Sequence, residues 1–221
     1  MSAAMVPELG WCSPEVEAEL PALRLLSTEI VVGRRGSLTG PSPADVLDRL
    51  RELSNRFRGP RAVGIRREPV PAAYRIFFRH IGLDPDVSRT PIEAAVLERM
   101  LRGGFPSVGL LEDVLLIALI DTAVPVWALD SEGVKGTLGI RSSSEGESLG
   151  RSSDAAQLPS GRLVIADSAN ALAVLFGESA EHHRAGPATR HLTLFAVQVA
   201  GVPTLYVEEA LWSCRSALEQ P

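Results

Sequence analysis

Leu110-Leu111-Glu112-Asp113-Val114-Leu115-Leu116-Ile117-Ala118-Leu119-Ile120-Asp121-Thr122, followed shortly by Val126-Trp127-Ala128-Leu129-Asp130, decides the fold. The first run is apolar nearly all round, which predicts a helix buried in the middle of the protein. From Val126 onward the apolar runs become short and are broken by Gly, Ser and Pro. Residues 126–129, 137–141, 163–166, 171–176 and 192–200 read as strands. A closing helix is expected over 204–218, with Leu211, Cys214 and Leu218 on one face.

Upstream of the central run the signals are helical. Ser13-Pro14-Glu15 offers an N-cap, a proline at the first helical position and an acid in the first turn, predicting a short helix over 14–26. Leu25 to Val32 reads as a strand ending at Gly33, and Arg34 to Pro41 as a loop. Val46, Leu47, Leu50, Leu53 and Phe57 recur at helical spacing behind Ser42-Pro43-Ala44-Asp45. Residues 72–81 form a further helix closed by Gly82, and Thr90-Pro91-Ile92-Glu93 is a capping box that opens another running to Gly103-Gly104. Helices first and strands later point to an α+β protein, with mixed or antiparallel sheet layers covered by helices. No internal repeat or low-complexity linker divides it. Residues 1–70 read as an N-terminal extension packed on a core of 70–221, the whole forming one unit.

Composition narrows the function. At 221 residues and 45% apolar content, the chain can bury a core without disulfides or metals. Its 22 basic and 27 acidic residues give a net charge of -5, which argues against coating DNA or RNA through bulk electrostatics, so any nucleic-acid contact is local. Cys12 and Cys214 form no metal-like or redox-like pair, and a reducing cytoplasm is expected. No apolar stretch approaches the roughly 18 residues of a membrane span, so no membrane partner is expected. Lys135 is the one lysine among the basic residues. Arginine suits bidentate contact with phosphates, but a GC-rich genome encodes the same bias whatever the function.

Three of the four histidines, His182, His183 and His191, fall within ten residues of one another in a loop-to-strand region, beside Glu178 and Glu181. Histidine is the natural proton acceptor or relay near neutral pH, although solvated loop residues would look the same. The group makes a poor metal site, because adjacent histidines rarely converge on one ion and no paired Cys or H-x-x-x-H completes it, so no metal or cofactor is expected. Arg75 and Arg79 share a helix face at i,i+4, and Arg56, Arg58, Arg61, Arg66 and Arg67 follow one another closely before them. They read either as a phosphate-binding surface or as ordinary solvated charge. Asp130 and Asp167 each end an expected strand, from which a carboxylate reaches a pocket or caps a turn. No G-x-S-x-G elbow and no phosphate-cradling G-x-x-x-x-G-K is present, and Gly133 to Gly150 reads as a mobile hairpin or flap.

Three segments carry a family resemblance. The first is Tyr74-Arg75-Ile76-Phe77-Phe78-Arg79 with Gly82-Leu83-Asp84-Pro85 and Arg89-Thr90-Pro91-Ile92-Glu93. The second is Leu111-Glu112-Asp113-Val114 through Pro125-Val126-Trp127-Ala128-Leu129-Asp130. The third is Leu163-Val164-Ile165-Ala166-Asp167 with residues 177–189. Together they resemble the B3/B4 domain, the editing module of the phenylalanyl-tRNA synthetase β subunit. The resemblance implies a free-standing trans-editing factor that hydrolyses misacylated tRNA, contacting the acceptor end and the amino acid moiety.

Carried over residue by residue, the resemblance puts Leu115, Leu116, Trp127, Asp130 and Asp167 around the amino acid. It puts His182 at the chemistry with His183 and Glu178 alongside, and Arg75 and Arg79 against the RNA, a basic surface that the neighbouring Arg66 and Arg67 would extend toward the acceptor end. The chain departs from the family pattern at two polar positions, where Leu116 replaces an Asn and Trp127 a His. That departure implies a different amino acid or a lost activity. A non-catalytic module that binds tRNA or an amino acid is the rival expectation.

Overall fold

The computed structural model describes residues 6–33, 36–57, 59–150 and 157–220. Two short strands open it, β1 (Glu8–Leu9) and β2 (Trp11–Cys12), followed by helix α1 (Pro14–Glu19). Ser13 caps α1 by accepting the Val16 N–H at 3.4 Å. The helix stops at Leu20, short of the expected residue 26, because Leu20 precedes Pro21 and the proline ring disfavours the helical region for its neighbour. The freed residues join strand β3 (Arg24–Val31).

Next come α2 (Ala44–Arg56), the short α3 (Pro60–Gly64), α4 (Pro69–His80), α5 (Pro91–Arg102) and α6 (Leu110–Thr122). Strands β4 (Val126–Asp130), β5 (Gly139–Ser142), β6 (Leu163–Ala166), β7 (Ala171–Val174) and β8 (His191–Gln198) precede the closing helix α7 (Thr204–Leu218). The fold is α+β, with two four-stranded sheets among the described residues.

The first sheet has the order β1-β3-β8-β4 and is antiparallel throughout. Strand β8 runs down its middle with Leu192 to Val197 all buried, the continuous apolar pattern of a strand covered on both faces. Helix α7 lies on β3, β8 and α6, and Val207, Ala210, Leu211, Cys214 and Leu218 fill that contact. Strand β3 therefore belongs to the interior of the sheet, although it comes from the first seventy residues.

The second sheet has the order β2-β5-β6-β7, antiparallel except for the parallel β2–β5 pair. Gly139 makes that parallel pairing possible. A Cβ there would fall 2.0 Å from the Trp11 ring, which lies across the strand and donates its Nε1–H to the Thr137 carbonyl at 3.0 Å. One core joins Leu129, Leu194 and Phe195 of the first sheet to Ile140, Ile165 and Leu172 of the second.

Helix α6 is buried at Leu110, Leu111, Val114, Ala118 and Ile120, as its all-round apolar sequence predicts. Leu115, Leu116 and Leu119 are only half-buried, and the reason is the cavity described next. No described helix is long and apolar enough to cross a membrane.

Candidate functional site

A cavity of about 250 Å³ opens between α6 and β4. Leu115, Leu116 and Leu119 form its helix wall, Val126 and Trp127 its strand wall, and Pro91 and Pro125 also line it. Glu112, in the first turn of α6, supplies the one ionisable side chain among these lining residues. Three substrate-site residues expected from the sequence, Leu115, Leu116 and Trp127, thus share one space.

Both walls are held from behind. Trp127 stacks on Phe195 of the adjacent strand with ring centroids 5.6 Å apart and planes 15° apart. Phe176 meets it edge-on at 5.4 Å and also touches Tyr74, Phe77 and Phe78 of α4. Phe176 reaches that position with a left-handed backbone, φ 57°, a conformation that costs a non-glycine residue free energy and persists only when its surroundings fix it. The aromatic cluster supplies that constraint.

The N-terminus of α6 is fixed by Asp113, which is buried and accepts hydrogen bonds from Ser42 Oγ at 2.6 Å, Ser107 Oγ at 2.5 Å and the Val108 N–H at 2.9 Å. A carboxylate with three donors at a helix start is well placed for both its hydrogen bonds and the helix dipole. The anchored turn carries Glu112 into the cavity lining.

Pro91 is held through a chain of charged contacts. Glu93 Oε2 accepts from the Thr90 hydroxyl at 2.7 Å and Glu93 Oε1 from Arg75 at 2.6 Å. Arg75 also pairs with Asp86 at 2.7 Å. Arg75 is buried and is therefore spent on joining α4 to the turn at 84–86 and to α5. Arg79, four residues on, is exposed, as are Arg66 and Arg67. The Arg75 guanidinium, helped by the charges of Arg79 and Arg66, holds the Asp86 carboxyl below the ordinary aspartate value, so these three arginines surround one acid. Arg56 pairs with Asp121 at 3.5 Å and Arg61 lies over the Phe57 ring at 4.4 Å. Arg34 and Arg58 lie outside the described residues.

The remaining expected site residues lie elsewhere. Asp130 ends β4, about 10 Å of strand beyond Trp127 at ~3.3 Å per residue. It accepts hydrogen bonds from Thr189 Oγ1 and, at 2.9 Å, from the Glu132 N–H. Asp167 is buried in the β6–β7 turn, where it accepts from the N–H groups of Lys135, Ala169 and Asn170 at 2.9, 2.7 and 2.8 Å.

Glu178 is exposed and paired with Arg184 at 3.4 Å. His182 is exposed, whereas His183 is buried against Gly133 with its Nδ1 lacking a hydrogen-bond partner among the described residues. His182 and His183, neighbours in one turn, therefore point into opposite environments. His191 is exposed at the start of β8. No three His, Cys, Asp or Glu side chains gather into a metal-binding group among the described residues.

A larger groove of about 470 Å³ lies between α1, the end of α4 and the β5–β6 turn, with His80 and Arg162 on its lining. None of the site residues that the resemblance implies lines it. Sequence reasoning also passed over Glu112 as a site residue. The signal available was an acid in the first turn of an otherwise apolar helix, which reads equally well as a favourable helix-dipole charge.

No protein-family model matches the chain and no curated protein matches it.

Proposed function

We propose that the chain is a free-standing trans-editing factor that takes the amino acid of a misacylated tRNA into the cavity between α6 and β4 and hydrolyses its ester. The observation that carries this reading is that cavity. Its volume of about 250 Å³ falls below the roughly 300–1,000 Å³ of pockets for drug-sized ligands. It suits a group the size of one amino acid, and its walls are Leu115, Leu116 and Trp127.

In the reaction a water oxygen bonds to the ester carbonyl carbon and the bond from that carbon to the ribose oxygen breaks. The hydroxyl of the terminal nucleoside leaves with a proton, and the amino acid is freed. Exposed Arg66, Arg67 and Arg79 support local contact with the acceptor-end phosphates, because arginine forks match phosphate oxygens and such contacts position a nucleic acid without reading its sequence.

A second reading, binding without turnover, is favoured by one observation. His182 faces solvent, His183 is enclosed and Glu178 is tied to Arg184, so the three groups expected at the chemistry do not converge. A panel of mischarged tRNAs separates the readings. An editing enzyme releases amino acid with many turnovers at sub-stoichiometric protein, while a binder only retards the aminoacyl-tRNA in a gel. A chain that does neither with any member of the panel overturns both.

A further inference from the structure

The cavity beside Trp127 has one charged side chain in an otherwise apolar lining. Glu112 is exposed, and no hydrogen bond or ion pair with another described residue occupies its carboxylate. Among the described residues, no arginine, lysine or histidine lines the same space. The turn that carries Glu112 is held in place by the buried Asp113 beside it, which bonds Ser42, Ser107 and Val108.

The lining discriminates between two forms of the same amino acid. A free amino acid carries an ammonium and a carboxylate, and the carboxylate would meet an apolar wall and a like charge. An amino acid esterified to a ribose has lost its carboxylate and keeps the α-ammonium, so the group that enters is purely cationic. We propose that Glu112 binds the α-ammonium of an ester-linked amino acid, making the cavity selective for aminoacyl esters over free amino acids and over esters whose amine is blocked. The inference rests on the cavity's being the aminoacyl site. An ammonium–carboxylate hydrogen bond is charge-assisted, and it strengthens as the ligand covers Glu112 and displaces water. Blocking the amine with an acyl group removes both the charge and two of the donors, and it leaves the carboxylate facing a neutral amide.

The test uses the full chain and aminoacyl-3′-amino-3′-deoxyadenosines carrying Ala, Leu or Phe, whose amide link resists hydrolysis, measured by titration calorimetry. The best-binding member is then compared with its N-acetyl form and with the free amino acid, on the wild type and on E112Q. N-acetylation of the ligand and E112Q each weaken binding by about 10- to 100-fold, the range of a hydrogen bond to a charged group. Combined, they weaken it little further, because both remove the same contact. Circular dichroism of E112Q matches the wild type, since the side chain is exposed. If an analogue binds but N-acetylation or E112Q leaves its affinity unchanged, Glu112 is not the ammonium partner, and the aminoacyl site stands without it. If no analogue binds the wild type, the aminoacyl site itself is refuted and this inference with it.

Discussion

Arg75 donates to Glu93 across 2.6 Å, with side chains only 9% and 11% exposed, and Glu93 spends its other oxygen on Thr90 at the start of α5. One carboxylate thus closes the helix cap and neutralises a buried guanidinium. Pro91, next after Thr90, lines the Trp127 cavity, so the pair that joins α4 to α5 also positions part of that cavity's lining.

Removing one partner of this pair leaves the other charged and enclosed. Arg75→Met is expected to cost about 3–5 kcal/mol in urea unfolding, the range for breaking a buried ion pair from one side. Arg75→Met with Glu93→Gln recovers part of that loss, because no uncompensated buried charge then remains, Asp86 being exposed. A single variant within about 1 kcal/mol of wild type would show that Glu93 is hydrated and that the pair does not hold α5.

Leu116 and Trp127 set the size of the cavity. Leu116→Phe adds bulk to a half-buried wall and is expected to weaken binding of aminoacyl-adenosine analogues by at least tenfold for large side chains, and less for alanine, measured by calorimetry. Trp127→Ala opens the space. It is expected to shift preference toward larger side chains while costing about 2–4 kcal/mol of stability through the lost Phe195 and Phe176 contacts. Unchanged preference in both variants would place the amino acid elsewhere.

The fold was legible where the signal is local, and the grouping of side chains was not where it depends on contacts distant in sequence. Thr90-Pro91-Ile92-Glu93 names its own helix start, because cap and proline act within one turn, and β4 and β6 are bounded by Pro, Gly and Asp. The two-residue strands β1 and β2 have no pattern of their own and exist only through pairing with β3 and β5. Arg75 and Arg79 look equivalent at i,i+4, yet one is buried and one exposed, since Asp86 and Glu93 reach Arg75 from outside its helix. Leu115, Leu116 and Trp127 were singled out by resemblance and share a cavity. Asp130 and Asp167 instead hold turns, because a carboxylate ending a strand meets the N–H groups of the next residues first.

His183 offers a contrast between packing and chemistry. Its Nδ1 is buried without a partner among the described residues, so replacing the ring by an apolar one removes an unsatisfied group. His183→Phe is expected to leave stability within about 1 kcal/mol of wild type or raise it, read from thermal melting. A loss beyond about 2 kcal/mol would mean that Nδ1 bonds a trapped water or ligand. His182→Ala tests chemistry separately, since its side chain is exposed. Deacylation lost in His182→Ala with melting unchanged would assign that histidine to the reaction.

The two cysteines differ in reactivity for a reason that also sets alkaline stability. Burial between α7 and its neighbours pushes the Cys214 thiol up to about 12 from an ordinary value of 9.0. Burial also raises Cys12, though Arg24 opposes the shift. Because the thiolate is the reactive form, Cys214 in the native protein at pH 8 is expected to resist a thiol reagent until the chain unfolds, while half-buried Cys12 reacts slowly. The sign of the pH dependence follows from the raised value. Below pH 9 both folded and unfolded chains keep the Cys214 proton and its contribution to stability is full. Between about 9 and 12 the unfolded chain loses the proton and the folded one holds it, so stability falls as pH rises. The Tyr74 phenol, raised by its own burial, adds to the same slope. Urea midpoints measured from pH 8 to 11 should therefore decline, and less steeply in Cys214→Ala. An equal slope in that variant would show that the thiol is hydrated in the folded state and would remove the stated cause of its inertness.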